Sequence, residues 1–300
     1  MRLITVATIQ TLHKHAKRRD FVRWYRKVEV LLIDELHVQL NRRNVDIINK
    51  IRPKAVYGMT ATLQLKKLHV RLPAIAMTGP VIFEYPIKEG VKEGYLAKGK
   101  IFIVPFHDKL QGQAPGYWSK GQGKRVFIKA GSPTAEYRRH ICLNKDRNDL
   151  IEKVTREALA KGRKVFVLVS RLVHLRVLSK RLDDIDHYAI SGQMNTSERR
   201  EAMREMDAGR MNLIIASRVF AKGVDVQRVD CIIDGTGEPS RNNVLQRYGR
   251  GTRKTEGKKS LWFYDIADRN NEYTDAAWAR FRALKETGAP IVKLKTTRRP

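Results

Sequence analysis

Cysteine is nearly absent from this chain. Cys142 and Cys231 are the only two in 300 residues, far apart and without metal-ligand spacing. That excludes a disulfide framework and a structural zinc site of the usual type, and leaves two buried thiols in a reducing compartment, the cytoplasm. Long apolar runs are also missing. No stretch has the length needed to span a bilayer, and Met1-Arg2-Leu3-Ile4-Thr5 lacks the apolar core of a signal peptide. No membrane partner is expected. There is no repeat of solenoid period and no low-complexity tract.

Acidic residues are scarce as well. Lys and Arg number 60 against 31 Asp and Glu, a formal charge of +29. That excess points to a polyanionic partner. Nucleic acid comes first. An anionic membrane surface comes second, without a basic amphipathic helix to serve it. A generally basic proteome would give the same charge. Apolar content of 42% is enough to build cores, and the length suits two domains.

Hydrophobic patterning predicts α/β architecture. Leu3 to Thr8, Val28 to Ile33 and Ala55 to Met59 read as strands. Val45, Ile47, Ile48 and Ile51 give a helical face between the last two. Continuous apolar strands alternating with helices indicate a parallel sheet buried on both faces. Residues 86–140 read as a connector or insertion with room for a short hairpin, because Gly and Pro accumulate there. A second alternating block covers 141–275. Its strands are Val165 to Val169, His187 to Ile190, Leu213 to Ala216, Cys231 to Asp234 and Leu261 to Asp265. Helices run from Leu150 to Gly162, through Leu172 to Leu182, and from Thr196 to Gly209. Residues 276–300 read as a basic tail.

Two constellations carry chemistry. Asp34-Glu35 directly follows an apolar strand. Ligands of open parallel sheets bind outside the carboxyl ends of strands, where one carboxylate can hold Mg²⁺ through water and its neighbour can activate a water. The alternative is a pair of acids capping the next helix. Two hundred residues on, Gln246-Arg247-Tyr248-Gly249-Arg250-Gly251-Thr252-Arg253 brings three arginines together with two glycines. Glycines would let the backbone turn tightly, so that Arg250 and Arg253 converge on one anion; a basic surface patch is the alternative. Gly121-Gln122-Gly123-Lys124 is a basic turn rather than a phosphate loop, since it lacks the first glycine and the hydroxyl residue after Lys.

Several motifs in register carry a family resemblance. Ile33-Asp34-Glu35-Leu36-His37 resembles the DExH box of superfamily 2 helicases, and Thr60-Ala61-Thr62 resembles that family's Ser/Thr-Ala-Thr motif. Val6 to Leu12 resembles its nucleic-acid-contacting segment, Val165 to Ser170 its motif IV, Ala216 to Asp225 its motif V and Gln246 to Arg253 its motif VI. The closest flavour is the phage UvsW-like and XPB-like branch. The resemblance implies two RecA-like parallel-sheet lobes, with the first (1–85) lacking its N-terminal part. It implies ATP and Mg²⁺ as cofactors and nucleic acid as partner, DNA favoured over RNA, in recombination or branched-structure remodelling. By the same resemblance Asp34 would hold the Mg²⁺ water shell, Glu35 would be the catalytic base, and Arg250 and Arg253 would be arginine fingers. His37, Gln246, Asp225, Thr60 and Thr62 would couple nucleotide to lobe closure. Thr8, Gln10, Ser217, Lys222 and Gly223 would lie along the nucleic-acid backbone; for Thr8 and Gln10, plain polar residues at a strand end fit equally.

One family element is missing: no Gly-x-x-x-x-Gly-Lys-Ser/Thr occurs. The expectation is a separately encoded N-terminal fragment that carries the phosphate loop. The competing expectation is a nucleic-acid binder or strand-annealing factor that no longer turns over nucleotide. Lys14, Lys17, Arg18 and Arg19, with His13 and His15, form a basic run that either tracks phosphates or is a solvated helix face. Tyr117 and Trp118 either stack on bases or pack against a lobe.

Overall fold

The computed structural model describes residues 4–61, 68–110, 116–119, 124–127, 132–217, 228–255 and 257–294. The chain divides into two compact units, Met1–Glu84 and Tyr85–Pro300, each described by itself.

In the first unit, α1 (Ile9–His15) and α2 (Arg19–Tyr25) precede β1 (Val30–Ile33). Then come α3 (Leu36–Gln39), α4 (Arg42–Asn49), β2 (Ala55–Gly58) and α5 (Leu68–Thr78). β1 and β2 pair in parallel, from Val30 opposite Ala55 to Ile33 opposite Gly58. Ile47 and Ile48 of α4, with Ile51, bury against Ile33, Leu36 and Tyr25, as their helical spacing requires. The strand expected over Leu3 to Thr8 does not form in residues 4–8. They have no regular structure, and Ile4 and Val6 are exposed. β-branched residues favour a strand only where a neighbouring strand is there to pair. Val30, Leu32 and Tyr57, on the sheet face away from α4, are exposed too.

The second unit starts with α6 (Ile87–Lys92) and β3 (Lys98–His107). A hairpin follows, β4 (Gly116–Ser119) antiparallel to β5 (Lys124–Phe127). Next are α7 (Pro133–Tyr137), a π-helical turn (Arg138–Cys142), α8 (Lys145–Ala160), β6 (Val165–Val169), α9 (Leu172–Arg181), β7 (Tyr188–Ile190), α10 (Thr196–Asp207) and β8 (Leu213–Ser217). The remaining elements are β9 (Cys231–Asp234), α11 (Arg241–Gly251), β10 (Ser260–Arg269), α12 (Thr274–Lys285) and β11 (Ile291–Lys293). Seven strands form one sheet in the order β11-β3-β10-β9-β6-β8-β7, all parallel. One face packs Ile103, Phe166, Ile232 and Phe263 against α10, α11 and α12. The other packs Val104, Val167, Ile233 and Ile266 against α8 and α9. Alternate side chains of each strand therefore enter opposite cores, which is why these strands read as continuous apolar runs.

Two stretches depart from the sequence expectation. β3 lies within 86–140, the expected connector, yet pairs with β10 over ten residues and also with β11. Pro105 hides it in the sequence; that proline lies past the last β11 pair, at Ile103, so β3 has a single strand partner there. Most of α12 and all of β11 lie within 276–300, the expected tail. Arg280 and Arg282 mask the apolar face formed by Ala277, Ala283 and Leu284.

Candidate functional site

Parallel pairing makes the carboxyl ends of β1 and β2 neighbours. Met59 N–H donates to the Ile33 carbonyl (2.8 Å) and Leu36 N–H to the Met59 carbonyl (2.9 Å), tying the segment after β1 to the segment after β2. On that tie sit the acids. Asp34 is exposed, and its Oδ1 accepts the Glu35 amide at 2.9 Å. Glu35 is left-handed (φ 49, ψ 50) and its side chain does not cap α3. That overturns the helix-capping alternative for Glu35. Its Oε2 is buried, lies 3.3 Å from His37 Nδ1, and accepts no hydrogen bond among the described residues. The same His37 Nδ1 is 2.7 Å from Thr60 Oγ1. Asp34, Glu35, His37 and Thr60, separated by up to 26 positions, are thus one cluster; Thr62 lies outside the described residues.

An exposed carboxylate beside a half-buried one, whose Oε2 accepts no hydrogen bond among the described residues, suits a hydrated Mg²⁺ and an attacking water. Mg²⁺ takes one or two carboxylates and fills its other positions with water and phosphate oxygens. Thr8 and Gln10 sit at the start of α1. Thr8 Oγ1 caps that helix by accepting Thr11 N–H at 3.2 Å, and Gln10 is exposed in its first turn.

In the second unit the arginine run does not turn. It continues α11 as far as Gly251, so the glycines have another reason. A Cβ on Gly251 would stand 2.6 Å from Ile232 Cδ1 and 2.9 Å from Leu261 Cδ2, and one on Gly99 of β3 would stand 1.9 Å from the hydroxyl of Tyr248. Both glycines let α11 lie close on the sheet. The helix starts at Ser240, whose hydroxyl accepts Asn243 N–H. At its end the Gly251 carbonyl accepts from the Lys258 ammonium at 2.5 Å. Burial pulls the Lys258 amine down to about 8, with Asp230 opposing.

Arg247, the first arginine of the run, is spent internally. It donates to Asp234 (2.9 Å), Thr236 (2.8 Å) and Glu238 (2.7 Å). Burial raises the Asp234 carboxyl, but the Arg247 and Arg280 cations and Thr236 outweigh it and hold it below the ordinary carboxylate value. Gln246 and Arg250 are half-buried on α11, one helical turn apart, while Arg253 is exposed just past its end. Ser217 is the last residue of β8 and is buried. Asp225, Lys222 and Gly223 lie outside the described residues.

Sequence reasoning missed a set of buried ions at the carboxyl ends of the strands. Arg147 grips Asp268 with two hydrogen bonds (2.7 and 3.2 Å) and the Gly235 carbonyl with a third (3.0 Å). Arg280 donates to Asp265 at 2.6 Å, yet burial still holds the Asp265 carboxyl above its ordinary value. His140 lies between Asp108 and Glu136, and Asn144 and Asn271 also donate to Asp108. A signal was available: Asp234 closes the otherwise apolar β9, and Asp265 and Asp268 interrupt the apolar run of β10.

Comparison with known proteins fits this geometry. Residues 147–255, from α8 to just past α11, match the model of the helicase conserved C-terminal domain. That match lies wholly within the second unit. Over 97 residues, 32% of this chain, the sequence is 30% identical to the ATP-dependent rRNA helicase RRP3 of Encephalitozoon cuniculi, matching 24% of that protein's length. A fragment of a putative HsdR subunit of a type I restriction enzyme from Vibrio vulnificus superposes with TM-score 0.63 at 18% identity, covering 93% of this chain and 50% of that one. Dbp5 of S. cerevisiae, bound to RNA and ADP BeF3, gives 0.58 at 16% identity, covering 96% of this chain and 65% of that one. At such identities the likeness is one of fold, α/β and RecA-like, and no single helicase branch stands out. Among the described residues no helix is long and apolar enough to cross a membrane.

Proposed function

We propose that this chain supplies part of an ATP-driven nucleic-acid helicase or translocase. The observation that carries the reading is the His37–Thr60 hydrogen bond, which joins the Asp34-Glu35 pair to the Thr60 segment at the ends of two parallel strands. In this reading Asp34 holds the water shell of Mg²⁺. Glu35 takes the proton of the attacking water, and His37, tied to Thr60, fixes the glutamate and passes its state along the Thr60 segment. Arg250 and Arg253 would stabilise charge on a transferred phosphoryl group, the role the motif resemblance gives them, with Gln246 one turn before Arg250 on the same helix face. Bound ATP and Mg²⁺ would supply the leaving group and neutralise phosphate charge. Thr62 and Asp225 are assigned to nucleotide coupling, and Thr8, Gln10, Ser217, Lys222 and Gly223 to the nucleic-acid backbone, by the motif resemblance alone.

The cradle for the β- and γ-phosphates is not among these residues, because the sequence contains no phosphate loop. The exposed apolar face of Val30, Leu32 and Tyr57 is suited to a further β-α segment, which would bring the loop. The DExH tetrad Asp34-Glu35-Leu36-His37 favours the UvsW-like and XPB-like branch, and with it DNA over RNA and branched-structure remodelling. The missing loop also supports a second reading, a nucleic-acid binder without turnover.

The test is nucleic-acid-stimulated ATP hydrolysis by the chain combined with a segment that carries the loop. Glu35→Gln is expected to lower kcat by about 10²-fold or more, and Arg253→Ala by about 10³-fold. No hydrolysis in any such combination, with nucleic-acid binding intact, would leave the second reading standing.

A further inference from the structure

The basic run after Leu12 has a structural counterpart away from the strand ends. α1 and α4 border an open cavity of about 400 Å³. His13 of α1 lines it together with Arg42 and Arg43 of α4 and Lys50 at the end of that helix; Asp46 is the acid among the lining residues and Ile47 forms its apolar base. The wall is fixed rather than loose. His13 Nε2 is 2.9 Å from Asn44 Oδ1, and Asn44 Nδ2 donates to Gln39 at 2.9 Å.

Local stability does not explain Arg42 and Arg43, whereas Lys50, at the C-terminal end of α4, suits the helix dipole. Asn41 caps α4, which places Arg42 and Arg43 in the first two helical positions, with no acid in that turn. The positive end of a helix dipole disfavours cations there. Arg42, Arg43 and Lys50 form no ion pair among the described residues. Positive charge concentrated against a helix N-terminus, at a cost to the helix, is an arrangement that gathers anions. Eight residues separate Arg42 from Lys50, about 12 Å along the helix axis at 1.5 Å per residue. That span is longer than one phosphate and fits consecutive phosphates of a strand.

We propose that this cavity binds the sugar-phosphate backbone of a nucleic acid, as a contact on the first unit separate from the strand-end site. The inference rests on the nucleic-acid reading above and needs neither ATP nor the phosphate loop.

The test is fluorescence anisotropy of a labelled single-stranded oligonucleotide with the full chain across a salt series. Each phosphate contact adds about 0.7 to the slope of log K against log salt for single strands. Arg42→Ala/Arg43→Ala is expected to weaken binding about tenfold at 0.1 M salt and to lower the slope by about 1.4. Lys50→Ala should lower it by about 0.7. Arg176→Ala/Lys180→Ala removes the same charge from exposed positions of α9 and should change affinity less than about twofold. Equal losses in the two double variants, or an unchanged slope, would overturn the cavity assignment and leave the nucleic-acid reading intact. Relief of the Arg42/Arg43 effect by millimolar inorganic phosphate at matched ionic strength would overturn the backbone assignment in favour of a free-anion site. Absence of any binding by the unaltered chain would overturn both.

Discussion

Leu32 and Leu168 are both leucines in short parallel strands, yet Leu32 is 62% exposed and Leu168 is 3% exposed. The difference lies in what surrounds them. β6 has strand neighbours on both sides and helices over both faces, while β1 pairs with one strand and is covered on one face. Charge follows the same division. The second unit buries Arg147, Arg280, Asp234, Asp265 and Asp268 and pairs them internally, whereas the ion pairs Arg18–Asp20 and Lys54–Glu29 of the first unit stay in solvent. A closed sheet can hold ions in its interior because packing fixes their geometry. The two-stranded sheet leaves one apolar face and the Asp34 carboxylate accessible.

The contrast can be broken most strongly at Arg147. Arg147→Met leaves Asp268 buried without its cation, and the second unit is expected to lose about 3–5 kcal/mol in chemical denaturation. Restoration of part of that loss by adding Asp268→Leu would show that the unpaired charge, rather than packing, is responsible. Next comes the leucine pair. Leu168→Ala should cost about 2–5 kcal/mol through transfer and cavity terms, while Leu32→Ala should stay within about 0.5 kcal/mol. Similar costs at both positions would mean that the face around Leu32 is covered in solution.

The smallest effect is a pH dependence confined to the second unit. His174 is fully buried; its Nε2 lies 2.9 Å from Asn148 Oδ1 and its Nδ1 has no partner. Asn148 Nδ2 donates to the Cys142 carbonyl, so Nε2 carries the proton and Nδ1 is bare. Burial, and then Arg147, hold the imidazole well below its ordinary 6.5. The unfolded chain therefore takes up this proton first. Stability from this group is complete above the unfolded value and declines as pH falls below it. Denaturation midpoints measured between about pH 7.5 and 5.5 should fall, and His174→Gln should flatten the trend.

Much of the second unit could be read in the sequence, because its strands are apolar on both faces and its helices carry capping signals. Asn195 and Glu198, for example, form a complete capping box at the start of α10. β3 was illegible because its proline and lysines imitate a loop, and only pairing with β10, more than 150 residues later, makes it a strand. In the first unit the Asp34-Glu35 pair and the Thr60 segment each stood out in the sequence, but the His37–Thr60 bond that unites them depends on the parallel register of β1 and β2. The arginine run was misread as a turn, since it continues α11. Gly251 looked like a turn residue and is a packing residue.

Glu35 holds a backbone conformation that glutamate rarely adopts and that glycine or asparagine takes with less strain. A left-handed non-glycine residue costs on the order of 1–3 kcal/mol. Considered as a sequence under mutation, this position has an easy descent open to it. Exchange to glycine or asparagine would relax the chain and erase the carboxylate. A glutamate at such a place is opposed by its own backbone, and the charge that exchange would erase is the one on which the proposed water activation depends.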